Sequence, residues 1–126
     1  SVGELPTRFL QVDVQSSSVV NALGEPIGEG LVNSPIGIQT DLANNEVQEI
    51  PLTYIVQVMD AEGFTVMISW IKGITLKPDM NIRPAVFWIP ETQGNYNVAI
   101  FVWESLENPT PLSEPKTLRI TIAQQR

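Results

Sequence analysis

The chain has 126 residues, enough for one domain with a real core and too few for two comfortable ones. Seven Lys and Arg against fourteen Asp and Glu leave a net charge of −7, which disfavours nucleic acid and anionic membrane surfaces as partners. With neither cysteine nor histidine, the chain can form no disulfide, thiolate or imidazole metal site, cysteine nucleophile or imidazole-based triad.

Hydrophobic residues at 43% place the chain among globular proteins, while charged residues at 17% fall below the usual share of about a quarter. Asn, Gln, Ser and Thr must therefore supply much of the polar surface, a composition common in exported and cell-surface modules. No apolar run approaches the roughly 18 residues that would span a bilayer, so membrane insertion is not expected. Ser1-Val2-Gly3-Glu4 has neither the basic nor the apolar region of a leader, so an exported chain would begin here only after cleavage. Asn108-Pro109-Thr110 carries the proline that forbids N-glycosylation.

In chain order, residues 9–14 alternate, with Leu10, Val12 and Val14 on one side. Residues 15–18 are polar and read as a break, after which Val19-Val20 begins a second short piece. Residues 23–35 carry three Gly and two Pro and read as loop. A strand over residues 36–42 ends at the turn residues Asn44-Asn45. Residues 53–59 and 65–71 form an expected hairpin around Asp60-Ala61-Glu62-Gly63, where Gly63 allows a positive φ. Lys77-Pro78-Asp79 then turns into a strand over 81–89, residues 90–94 turn into one over 96–103, and a last strand covers 117–122. The period is 2 throughout, no stretch sustains a period of 3.6, and β-branched and aromatic residues fill the strands. Seven or eight short strands in this length predict an all-β antiparallel sandwich of about seven strands. The expected division is an N-terminal extended arm at residues 1–18 and a sandwich domain at 19–126.

Gly94-Asn95-Tyr96 has the form of a tyrosine corner, in which a Tyr hydroxyl bonds back to the upstream backbone, so Gly94 and Tyr96 are read as structural. The carboxylates Asp60 and Glu62 share a turn and Glu104 and Glu107 flank another, while Asp13, Asp41 and Asp79 stand apart. A calcium ion needs six to eight oxygens, so solvated turn carboxylates are the simpler reading and a calcium site shared between loops or subunits the sharper one. A glycosidase needs two facing carboxylates in a cleft, which a small sandwich without long loops does not offer. The chain is therefore not expected to be an enzyme, and no catalytic or cofactor-binding residue is assigned.

The strands also carry apolar residues on what should be the wet face of a sheet. Tyr54, Val56, Val58, Tyr96, Val98, Ile100 and Val102 suit the core, which leaves Ile55, Met59, Met67, Ile71, Phe101 and Trp103 as a candidate assembly face. Residues 23–35 or the N-terminal segment could cover that face in cis; a second copy could cover it in trans. The arm offers a second device. Leu5, Phe9, Leu10, Val12 and Val14, set off by the polar residues 15–18, could complete the edge of a neighbour's sheet as a donated strand or form an ordinary first strand in cis.

From Leu42 onward several pieces carry a resemblance: Asn44-Asn45, Tyr54-Ile55-Val56-Gln57-Val58, Asp60 with Gly63, Ser69-Trp70, Trp88-Ile89-Pro90 and Gly94 with Tyr96. Phe101-Val102-Trp103-Glu104-Ser105, Asn108-Pro109-Thr110 and Leu112-Ser113 complete the set, which covers about two-thirds of the chain. In these the chain resembles an Ig-like domain that recurs in secreted and surface proteins of ammonia-oxidising archaea. The resemblance implies an exported Ig-like or fibronectin-type-III-like sandwich and brings no catalytic residues with it. The expectation is an extracellular structural subunit that assembles with other copies into a pilus-like surface filament. The alternative is a monomeric adhesion module that binds glycans or another surface protein.

Overall fold

The computed structural model describes residues 11–125, and every structural statement below concerns them. They form nine strands: β1 (Val12–Val20), β2 (Gly30–Leu31), β3 (Ile36–Asn44), β4 (Ile50–Met59), β5 (Thr65–Leu76), β6 (Asn81–Ile82), β7 (Ala85–Trp88), β8 (Gly94–Trp103) and β9 (Lys116–Ala123). One sheet places β3 between β1 and the short pair β6 and β7; the other has the order β2-β9-β8-β4-β5. All pairings are antiparallel except β2 with β9. The two sheets face each other across the core as an all-β sandwich.

Inward residues follow the period-2 pattern. Ile36, Ile38, Tyr54, Val56, Val58, Val98, Ile100, Ile120 and Ile122 form one buried cluster, and Val12, Leu42, Ile50, Leu52, Leu76, Val102 and Leu112 form a second. Tyr54 brings a hydroxyl into the first. It donates to the Ile38 carbonyl at 2.9 Å, and its oxygen lies 2.8 Å from that of Thr40, which is 3.1 Å from the Ser17 hydroxyl. Because Tyr54 has a single proton, Thr40 donates to Tyr54 and Ser17 donates to Thr40. The chain of hydroxyls satisfies each buried oxygen and ties β1, β3 and β4 together.

Three sequence expectations change here. Residues 15–18 do not interrupt the first strand: β1 runs from Val12 to Val20 along β3, with a register shift between Val14 and Ser16. The polar run is an edge strand with one face toward solvent, so its composition reflects exposure and not a hinge. The expected arm–domain boundary after residue 18 falls inside β1, which belongs to the sandwich from Val12 onward. Residues 23–35 are not wholly loop, since Gly30 and Leu31 pair with Ile122 and Ala123. The strand expected over 81–89 is two strands in one register with β3, interrupted at Pro84, whose carbonyl accepts from Thr40 N but whose ring nitrogen has no proton to donate in return.

Candidate assembly face

The β4–β5 hairpin decides which side chains point outward. Asp60 closes its turn: Oδ1 accepts from the backbone N–H of Glu62 at 3.0 Å and of Phe64 at 2.9 Å, and Gly63 takes φ +90°. A register shift between Val58 and Met59 follows, so that Val58 opposes Met67, Ile55 opposes Trp70 and Tyr54 opposes Ile71. Opposed residues share a face. Met67 and Ile71 therefore lie with Val58 and Tyr54 and pack against the core, and their assignment to the outer face is corrected. Val66, Ile68 and Trp70 take their place outside, 46%, 53% and 46% exposed. A second shift between Leu52 and Tyr54, with Gly73 at φ +75°, then turns Ile74 and Leu76 inward opposite Leu52 and Ile50.

On the neighbouring strands Ile55, Met59, Phe101 and Trp103 share the outer face. Ile55 lies between Trp70 and Phe101 in register and is buried. Phe101 and Trp103 are half-buried, their ring centroids 5.7 Å apart, and Met59, opposite Asn97, is also half-buried. Among the described residues, neither β2 nor β1 lies on this face, and residues 1–10 are outside the described residues. β2 pairs with β9 at the edge opposite β5, and β1 belongs to the other sheet. The signal that would have placed Val66, Ile68 and Trp70 outside was the alternation on β5; which phase faced the core depended on the bulge.

The donor-strand residues divide. Val12 opposes Asn44 and Val14 opposes Leu42 in the same chain, with Val12 buried and Val14 packed against the second core cluster. Their apolar side chains already fill this chain's core, so donation of these two to a neighbour is corrected to pairing in cis. Leu5, Phe9 and Leu10 lie outside the described residues.

Charge is distributed unevenly. None of β2, β9, β8, β4 and β5 carries an Asp or Glu; their only ionisable groups of formal charge are Lys72, Lys116 and Arg119. The described carboxylates sit in turns, loops and the opposite sheet, where Asp41 meets Arg83 at 3.4 Å. The five-stranded sheet is thus a neutral to cationic apolar surface on an acidic molecule.

Gly94, at φ +144°, precedes Tyr96, whose hydroxyl donates to the Thr92 carbonyl at 2.6 Å. The Tyr96 ring meets Trp88 edge-on at 5.0 Å. Tyr96 is held by the fold, and with Trp88, Ile89 and Val66 it lines a surface pocket. Among the described residues no group of three or more carboxylates is placed to hold a metal ion, and Asp60 is committed to its turn.

The fold is similar to that of the C-terminal domain of Wzt, with TM-score 0.76 at 7% identity over 92% of this chain and 75% of that one. This is an Ig-like β-sandwich. A CARDB domain from Pyrococcus furiosus, solved in complex with di-metal ions, is similar at TM-score 0.57 and 16% identity, covering 90% of this chain and 96% of that one. A β-glucuronidase of glycoside hydrolase family 2 contains a similar region, with TM-score 0.65 and 17% identity over 85% of this chain and 11% of the enzyme. No family model matches the Ig-like chain, and no curated protein does.

Proposed function

We propose that this Ig-like sandwich is a non-catalytic module of an exported, surface-located protein, and that it works by packing against other copies of itself. The observation that carries the reading is the outer face of the five-stranded sheet, where Val66, Ile68 and Trp70 stand about half exposed beside Phe101 and Trp103. Contiguous apolar surface of this kind is unusual on a monomer. Covering the exposed halves contributes roughly 1 kcal/mol per side chain at about 25 cal/mol per Å². A second copy is favoured as occupant because this sheet is free of carboxylates, so two acidic molecules can meet here without setting carboxylate against carboxylate. The low charge content and the resemblance to archaeal surface modules support export, and a repeated contact between copies would build a surface filament.

Sedimentation equilibrium of the full chain tests the reading. Reversible association is expected, weakened at least ~10-fold by Trp103→Ser and by Ile68→Ser, the latter at a position more than half exposed and so least coupled to folding. A chain that stays monomeric at every concentration overturns the proposal and favours a module that binds glycans or another surface protein through its loops.

A further inference from the structure

A sheet edge exposes main-chain donors and acceptors that another strand can take up, and soluble proteins blunt such edges with short strands, bulges, prolines or charges. Three of the four edges here are blunted. β1 carries Asp13 and a register shift, β2 has only two residues, and the β6–β7 edge is short and interrupted at Pro84. β5 differs. It is a strand of 12 residues, and among the described residues it pairs only with β4. From Thr65 to Ile71 it contains no proline, charge or glycine, and its outward side chains Val66, Ile68 and Trp70 are β-branched or aromatic. Its first charge is Lys72, immediately before the bulge at Gly73.

We infer that this edge pairs with the β5 edge of a second copy, antiparallel about a two-fold axis through Met67 and perpendicular to the sheet. The inference rests on the assembly reading above and adds the partner strand and its register. Such an axis keeps outer faces together, so even-numbered residues oppose even-numbered ones. With Met67 on the axis, Val66 opposes the second copy's Ile68, Phe64 opposes its Trp70, and Glu62, in the turn just beyond Phe64, is the carboxylate at the level of its Lys72. Shifting the axis by one residue toward Ile68 sets Lys72 against Phe64, and shifting it toward Val66 sets Glu62 against Trp70 and Lys72 against Asp60, whose Oδ1 is already taken by its own turn. The favoured register joins apolar cross-strand pairs and brackets them with two symmetric ion pairs. It also joins two five-stranded sheets into one of ten and leaves Phe101 and Trp103, two strands in from the edge, uncovered. Edge and face contacts are therefore separate, and two different two-fold contacts on one subunit propagate as an open chain of copies.

Charge reversal in the full chain tests the register, since Glu62 and Lys72 are both exposed and their substitution leaves the core intact. Sedimentation equilibrium is expected to show dimerisation weakened about 5- to 10-fold by Lys72→Glu and by Glu62→Lys, and restored when both are combined. A combined variant that remains as weak as either single variant overturns the pairing. So does an association unaffected by the single variants, which would leave the Trp103-dependent face contact standing alone. Deletion of residues 1–10 is expected to leave the dimer unchanged; loss of association on that deletion would show that a neighbour's N-terminal segment takes the edge instead.

Discussion

Tyr54 shows how one polar atom can organise a hydrophobic interior. Its ring is fully buried and its hydroxyl joins β4 to the Ile38 carbonyl and to Thr40. Tyr54→Phe leaves a buried carbonyl without its donor, and the expected loss of about 1–3 kcal/mol is readable from urea denaturation. Burial pushes the phenol up to about 12 from 10.0, with the Thr40 hydrogen bond opposing the shift in part. The folded state thus holds the proton more tightly than the unfolded chain does. Its contribution is complete below pH 10 and disappears as the pH rises toward 12. Urea midpoints measured across that interval should fall more steeply for the parent than for Tyr54→Phe.

The strands illustrate a second kind of constraint. β1 lies along β3 for nearly its whole length, and its ends Val12 and Val20 are both buried. The described core draws on no residue before Val12. Deletion of residues 1–10 should therefore preserve cooperative unfolding, whereas deletion of residues 1–20 removes the long partner of β3, leaving it only the short β6 and β7, and exposes Leu42 and Ile38. Circular dichroism with thermal melts should show a folded chain in the first case and loss of the cooperative transition in the second. The β4–β5 hairpin carries the complementary lesson. Two register shifts change the phase of β5, so the same strand sends odd-numbered side chains into the core before Gly73 and even-numbered ones after it.

For the molecule as a whole the dominant asymmetry is electrostatic. A net charge of −7 repels a second copy at long range, while the five-stranded sheet that would meet it bears no carboxylate. Screening shortens that repulsion to about 8 Å at physiological ionic strength and leaves short-range apolar contact largely intact. Self-association should therefore strengthen as sodium chloride rises from about 20 to 300 mM, as followed by sedimentation. A weakening over that range would mean that attraction between opposite charges, and not apolar burial, holds the copies together.

Period-2 alternation, turn residues and the absence of helical periodicity were enough to establish an all-β sandwich, because burial on one face of a strand repeats every second residue. The same residues showed that cysteine and histidine chemistry is unavailable, and that apolar side chains such as Phe101 and Trp103 exceed what one core face needs. Which of those side chains face outward was not legible. A single bulged residue inverts the phase of everything beyond it, and that is how Met67 and Ile71 came to lie inside and Val66, Ile68 and Trp70 outside. The partner of β1 was hidden for a related reason: a polar edge strand and a polar hinge have the same composition, and only pairing with β3 distinguishes them. Local chemistry determined the elements and the surplus of apolar surface, while long-range strand register decided where that surplus lies.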